Sequence, residues 1–145
     1  MILELLNFIH FIGLIWGVGG ATFMAILNSK SKDKDVAKAA VKISPAVVKL
    51  IWIGIILLIL SGILLPKYIK WELDAQNLLI KHILVGWIIL IGILLGVNSR
   101  VMRRYAPKGD DKPSLGFIRA KKKMKVFSFI NLVLWYLITL ISVFV

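Results

Sequence analysis

Apolar positions in this chain come in long unbroken runs, not in the alternation of half-buried strands or the single stripe of a soluble helix. No charged side chain falls within residues 5–29, 50–66, 82–99 or 126–145, stretches of 25, 17, 18 and 20 positions. A hydrocarbon core about 30 Å thick requires roughly 20 helical residues, so each run predicts a membrane-crossing helix. The second run is the shortest. Pro45 is well suited to open it and Lys49 to snorkel from its end, which lengthens it to about 21 residues. Helices are expected at about 3–27, 45–65, 79–102 and 124–145, joined by basic loops at about 28–44 and 103–123. The fold class predicted is all-α: a polytopic membrane protein whose single domain, residues 1–145, is an antiparallel four-transmembrane-helix bundle.

Composition and charge sharpen this picture. The chain is 59% hydrophobic and has no cysteine, and 19 Lys and Arg against 7 Asp and Glu leave a net charge of +12. Soluble domains and disordered chains are far less apolar. The excess charge is sorted by loop, unlike a nucleic-acid footprint, and no nucleic-acid partner is expected. Lys30, Lys32, Lys34, Lys38 and Lys42 mark the first loop, ten more lie between Arg100 and Lys125, and together these are 15 of the 19. The second loop offsets Lys67 and Lys70 with Glu72 and Asp74. The positive-inside rule then makes loops one and three cytoplasmic, with both termini outside the cytoplasmic (inner, cell) membrane. Met1 to Glu4 hold no basic n-region, so the first span is expected to persist and not be cleaved.

Smaller features refine the loops. Asp33 to Ile43 mixes Val, Ala and Lys and predicts a short interfacial helix, with Ser44-Pro45 capping the second span. Pro107, Gly109, Pro113 and Gly116 predict irregular chain in the third loop. Lys121 to Lys125 reads either as a solvated topology signal or as an anionic-lipid site. Tyr68 and Trp71 fit an outer aromatic belt and Tyr105 an inner one. Residues His10, Trp16 and Asn28 are echoed by His82, Trp87 and Asn98, which is either a duplicated helical hairpin or coincidence among similar apolar runs.

Polar groups inside a bilayer face the bundle interior or an aqueous cavity. In the first span Asn7, His10, Gly13 or Leu14, Gly17, Ala21 and Met24 share one stripe; in the fourth, Asn131, Trp135, Thr139 and Ser142 do. Gly92 and Gly96 form a GxxxG pair in the third, with Gly86 further out. Such small and hydroxyl residues serve helix packing first. His10 and His82 are expected at similar depth toward the outer leaflet, on helices running the same way. Imidazole ligates metals and haem iron, so the two can share one ion or flank one porphyrin; otherwise they are interfacial. Met24, Met102 and Met124 sit at the opposite helix ends, where thioethers favour Cu(I) or simply fill gaps. Met24 lies 14 residues past His10, about 21 Å along the axis, so the two belong to different sites. Lys81 snorkels outward by default. With no nucleophile motif, nucleotide fingerprint or paired intramembrane carboxylate, no catalytic residue is singled out, and an enzyme is the less expected class.

The segments LNFIHFIGLIWGVGGATFMAIL (6–27), SPAVVKLIWIGIILLILSGILL (44–65) and NLLIKHILVGWIILIGILLGVNSR (77–100) resemble helices of the copper resistance protein D (CopD-like) membrane family. The residues that carry the likeness are His10, Trp16, Gly19, Gly20, Ser61, Gly62, Lys81, Asn98 and Arg100. The His-plus-Trp start is also similar to HemJ-type protoporphyrinogen oxidases, haem-associated membrane proteins with a functional His in helix one and Lys in helix three. The Tyr-Leu-Pro-Arg run usual in that group is absent here. The first resemblance implies copper handling or transport across the cytoplasmic membrane, with His10 the one evident ligand among the matched residues; ligand chemistry adds His82 to an outer metal site and Met24 or Met102 as an inner one. The second implies a haem-associated protein with His10 as the functional histidine, and a b-type haem reading adds His82 as a further axial ligand. A third reading is a non-catalytic accessory subunit of a larger membrane metalloenzyme complex. The bilayer is the expected partner in every case, with a homo-oligomer or a larger membrane complex as further possibilities.

Overall fold

The structure, a computed structural model, describes residues 1–30, 34–68, 75–105 and 114–144. Four α-helices account for nearly all of them: α1 (Ile2–Lys30), α2 (Lys34–Tyr68), α3 (Ala75–Arg104) and α4 (Leu115–Phe144). No strand occurs among the described residues, and all four helices are long and apolar enough to cross a membrane. Their outward faces are apolar too: Leu60 and Ile63 of α2, Trp87 and Val97 of α3, and Phe129 and Leu140 of α4 are exposed. Continuous apolar surface of this extent demands a lipid solvent. The chain thus has the all-α architecture of a multi-pass membrane protein.

The helices outrun the apolar runs that announce them. The 29 residues of α1 rise about 43 Å, which matches the whole bilayer with its headgroup layers, about 40–45 Å, and exceeds the hydrocarbon alone. The expected interfacial helix over 33–43 is not separate: α2 runs unbroken from Lys34 through Ser44 and Pro45. Pro45 removes one ladder bond without ending the helix, at a level where headgroups and water can satisfy the freed carbonyl. Likewise α4 begins at Leu115, well before residue 124, and carries Gly116 and Lys121 to Lys125 on helix instead of loop. Its start is capped: the Phe117 N–H donates to Ser114 Oγ at 3.2 Å. Trp71 of the outer belt lies outside the described residues, as do Lys32, Lys70, Glu72, Asp74, Pro107, Lys108, Gly109, Lys112 and Pro113.

Backbone packing follows the order α2, α1, α4, α3, while α2 and α3 make no close backbone approach among the described residues. The tightest seam joins α1 to α2. A Cβ built on Gly54 would lie 2.8 Å from the Gly13 carbonyl oxygen and 3.0 Å from the Gly17 nitrogen. Gly17 itself lies against the ring of Trp135, and Gly20 against Ile51. Gly92 and Gly96 do not mark such a crossing: Gly96 faces open space and Gly92 meets only the edge of Trp52, at 3.6 Å. The core is built from one buried side chain of each helix, Ala21, Ile55, Ile88 and Trp135. Of the two polar stripes, Asn7 and Ser142 turn out to be exposed; Leu6 beside Asn7 is buried and Ile141 beside Ser142 half-buried, so both polar residues lie off the covered face of their helix.

Two asparagines staple α4 at the basic end of the bundle. Asn28 donates to Ser128 Oγ at 2.6 Å, and buried Asn98 donates to the Ala120 carbonyl at 2.7 Å. Interhelical hydrogen bonds in bilayers average about 0.6 kcal/mol and reach about 1.7. Asn98→Leu is expected to lower stability by about 1 kcal/mol, read as a lowered midpoint in detergent-mediated unfolding.

Candidate functional site

The two ends of the bundle offer different chemistry. At the end away from the basic loops, half-buried His10 of α1 meets Ser61 of α2, with Nδ1 2.9 Å from Oγ. The Ser61 hydroxyl donates to the Leu57 carbonyl at 2.6 Å, so its oxygen accepts from the Nδ1–H of His10. In the neutral ring this arrangement puts the proton on Nδ1 and the lone pair on Nε2, the way a second group orients a ligating imidazole. Ser61 is only 1% exposed, and Gly62 beside it gives the ring room, with Cε1 4.0 Å from its Cβ position. Lys81 of α3 stands within Coulombic range of His10.

His82 has a different setting. It is exposed, and its Nδ1–H donates to the Leu78 carbonyl of its own helix at 2.7 Å. The two imidazoles therefore hydrogen-bond to different groups, one between helices and one along its own. Within the sequence echo, the two asparagines do equivalent work on α4, whereas the two histidines do not. The remaining residues of the family likeness also divide. Trp16 packs its Cβ against Gly54 while its ring faces outward, Gly20 packs but Gly19 meets nothing, and Asn98 is the staple described above.

The basic half holds a cavity of about 580 Å³, reached by all four helices and lying where α2 and α3 stand apart. Met24 of α1, Met102 of α3 and Met124 of α4 all line it, and Met24 and Met124 are themselves buried. Arg100, Arg103 and Lys121 also line it, with no acidic side chain among the described lining residues. Deeper, Asn131 is 6% exposed and its Oδ1 has no hydrogen-bond partner, as is also true of Trp135 Nε1 one turn further on. Buried orphan acceptors are rare because each carries its full desolvation penalty. Among the described residues no three His, Cys, Asp or Glu side chains come together. The soft donors that line the cavity are the three thioethers, a type suited to Cu(I), beside the neutral side-chain oxygens of Ser44, Ser99, Ser128 and Asn131.

Position along the chain is enough to place Met24 and Met102 at an inner site and Met124 at the same end. That all three share one cavity depends on the rotation of each helix. Trp52, which bridges α2 to Gly92 across the open seam, and Gly54, which admits α1, carried no distinguishing signal: each is one more apolar or small residue within a long run. Comparison with family models, with curated proteins and with solved structures returns no match for this chain.

Proposed function

We propose that this chain handles copper in the cytoplasmic membrane, holding Cu(I) on thioether sulfur as it passes between the two ends of the bundle. The observation that carries the reading is the convergence of Met24, Met102 and Met124, from three helices, on one cavity. Flexible thioethers suit a soft monovalent ion that must also leave again. His10, with Nε2 available and its ring oriented by Ser61, is the first ligand at the opposite end. The likeness to the CopD-like family supports the same assignment. In this reading the basic end is cytoplasmic, as the positive-inside rule favours, and the ion moves inward.

A haem ligated by His10 or His82 has less support, since neither histidine lines the cavity. An accessory-subunit role draws on the open seam between α2 and α3, which a helix of another membrane protein can close.

The test is an anaerobic Cu(I) titration against a competing chelator, on protein purified in mild detergent. Wild-type protein is expected to bind the ion. The combined variant Met24→Leu, Met102→Leu, Met124→Leu keeps side-chain volume. If each sulfur contributes about tenfold, the variant binds about 1000-fold more weakly. Equal affinity in the variant and the wild type excludes the site. A Soret band with stoichiometric iron moves the assignment to haem, and absence of both metals leaves the accessory role.

A further inference from the structure

The copper reading uses the sulfur atoms of the cavity and leaves an oxygen at its inner end unexplained. Met124, Ser128 and Asn131 line the cavity from one face of α4, four and three residues apart. Asn131 stands six positions past Lys125, the last charge before the fourth uncharged run, and so lies about 9 Å below that charge, inside the hydrocarbon. It is buried and its Oδ1 has no hydrogen-bond partner; Trp135 Nε1, one turn further on, has none either. Toward the basic end, Ser128 accepts from Asn28, and Ser99 of α3 lines the same space. An acyl chain lying there offers Oδ1 no donor and leaves its desolvation penalty in full. Water does donate, and it occupies interior spaces that are roomy and carry two or more polar groups. A volume of about 580 Å³ far exceeds the roughly 10–15 Å³ that one water needs.

Two barriers shape this space. Ala21, Ile55 and Ile88 line its inner end and form one core layer with Trp135, whose ring covers Gly17; that layer separates the cavity from His10 and Ser61. On the flank, Trp52 reaches from α2 to 3.6 Å from the Cβ position of Gly92. Gly92 is one turn from Ile88 and Asn131 one turn from Trp135, both toward the basic end, so Trp52 screens the level of Asn131 from lipid. At the opposite end the lining residues Arg100 and Arg103 are exposed. We infer that the cavity is a hydrated vestibule, entered from the basic end alone, in which Asn131 and Ser128 bind water inside the membrane and which stops at the Trp135 layer. The inference does not rest on the copper reading, because no thioether enters it and its probe contains no metal. Either can fail while the other stands.

The natural chain has no cysteine, so one introduced thiol is a unique reporter. Full-length single-cysteine variants are reconstituted in phosphatidylcholine vesicles and treated from outside with a charged methanethiosulfonate that does not cross the bilayer. Lys122→Cys, exposed near the start of α4, reports the fraction of chains whose basic end faces out. Phe129→Cys and Val133→Cys report the lipid-facing side at the depth of the site. A thiol in hydrocarbon stays protonated and unreactive, whereas a hydrated one ionises, with about tenfold in thiolate for each unit of pKa. Ser128→Cys and Asn131→Cys are expected to react at least about tenfold faster than the two lipid-facing variants, and to the same final fraction as Lys122→Cys. Adding Asn131→Leu to Ser128→Cys should slow the reaction about tenfold, since it removes the amide that binds water; an unfolded chain would react faster instead. If Ser128→Cys and Asn131→Cys react no faster than Phe129→Cys and Val133→Cys, the cavity is dry or filled by lipid and the inference is overturned. A final fraction above that of Lys122→Cys means entry from both ends and overturns the closure at Trp135. An unchanged rate on adding Asn131→Leu overturns the role of Asn131. If Asn131→Cys fails to fold by circular dichroism, the nearly isosteric Ser128→Cys decides.

Discussion

Gly54→Val is expected to separate α1 from α2 and to remove most of the folded protein from a detergent extract. A Cβ on Gly54 would stand 2.8 Å from the Gly13 carbonyl oxygen and 3.0 Å from the Gly17 nitrogen. Both are backbone atoms, so no rotamer change relieves the clash, and the helices must move apart along their closest seam. Overpacking costs about 1–3 kcal/mol where side chains can yield and more where they cannot, so a loss above about 3 kcal/mol is expected. Because the same displacement carries Ser61 away from His10, the readout has two parts: the unfolding midpoint, and the His10 ring signals in a spectrum of isotopically labelled protein. Gly19→Val is the control. Gly19 has nothing within 4 Å and faces outward, so its replacement should leave both readouts near wild type. A stable Gly54→Val protein with unchanged His10 signals would refute the described α1–α2 seam.

The second large effect belongs to Trp135, which is 2% exposed and contributes to the one core cluster shared by all four helices. Trp135→Ala removes the ring that fills the space over Gly17 and is expected to destabilise by about 3–5 kcal/mol, as for other large-to-small changes in packed interiors. The loss is mainly one of van der Waals contact, because lipid tails are as apolar as the core and burial alone does not drive helix association in a bilayer. A paired measurement isolates the contact. Gly17→Ala alone should be damaging, since its Cβ would overlap the indole, whereas Gly17→Ala in a Trp135→Leu background should be nearly neutral. The coupling expected from a double-mutant cycle is at least about 1 kcal/mol, and additive effects would mean that the two residues do not touch.

What could be read in advance, and what could not, follows from how each property is encoded. Runs of 17 to 25 uncharged residues are a property of single segments, and the dielectric contrast at the membrane makes them decisive, so four crossing helices and their alternating direction needed no tertiary information. Most of the inner stripe of α1 was legible for the same reason: Gly17, Ala21 and Met24 recur at helical spacing and are buried, while spacing left Gly13 or Leu14 open and also admitted Asn7, which is exposed. Helix ends were not, because hydropathy locates hydrocarbon and the helices continue through the headgroup layers, as the Ser114 cap of α4 illustrates. Gly92 and Gly96 looked like a packing motif, yet a GxxxG spacing says only that a helix can be approached closely. Which helix approaches, and whether any does, depends on the competition among all four, and here Gly13 and Gly54 take the close seam.

The candidate sites divide along the same line. Residue types decide that imidazole and thioether are the available ligands and that positive charge collects at one end, since these are matters of composition and order along the chain. The partnership of His10 with Ser61, 51 positions apart, the shared cavity of Met24, Met102 and Met124, and the unclosed flank beside them are set by the azimuth of each helix about its axis and by the order in which the helices pack. Nearly uniform apolar surfaces leave those two variables almost unconstrained locally, and only the summed fit of four helices selects their values.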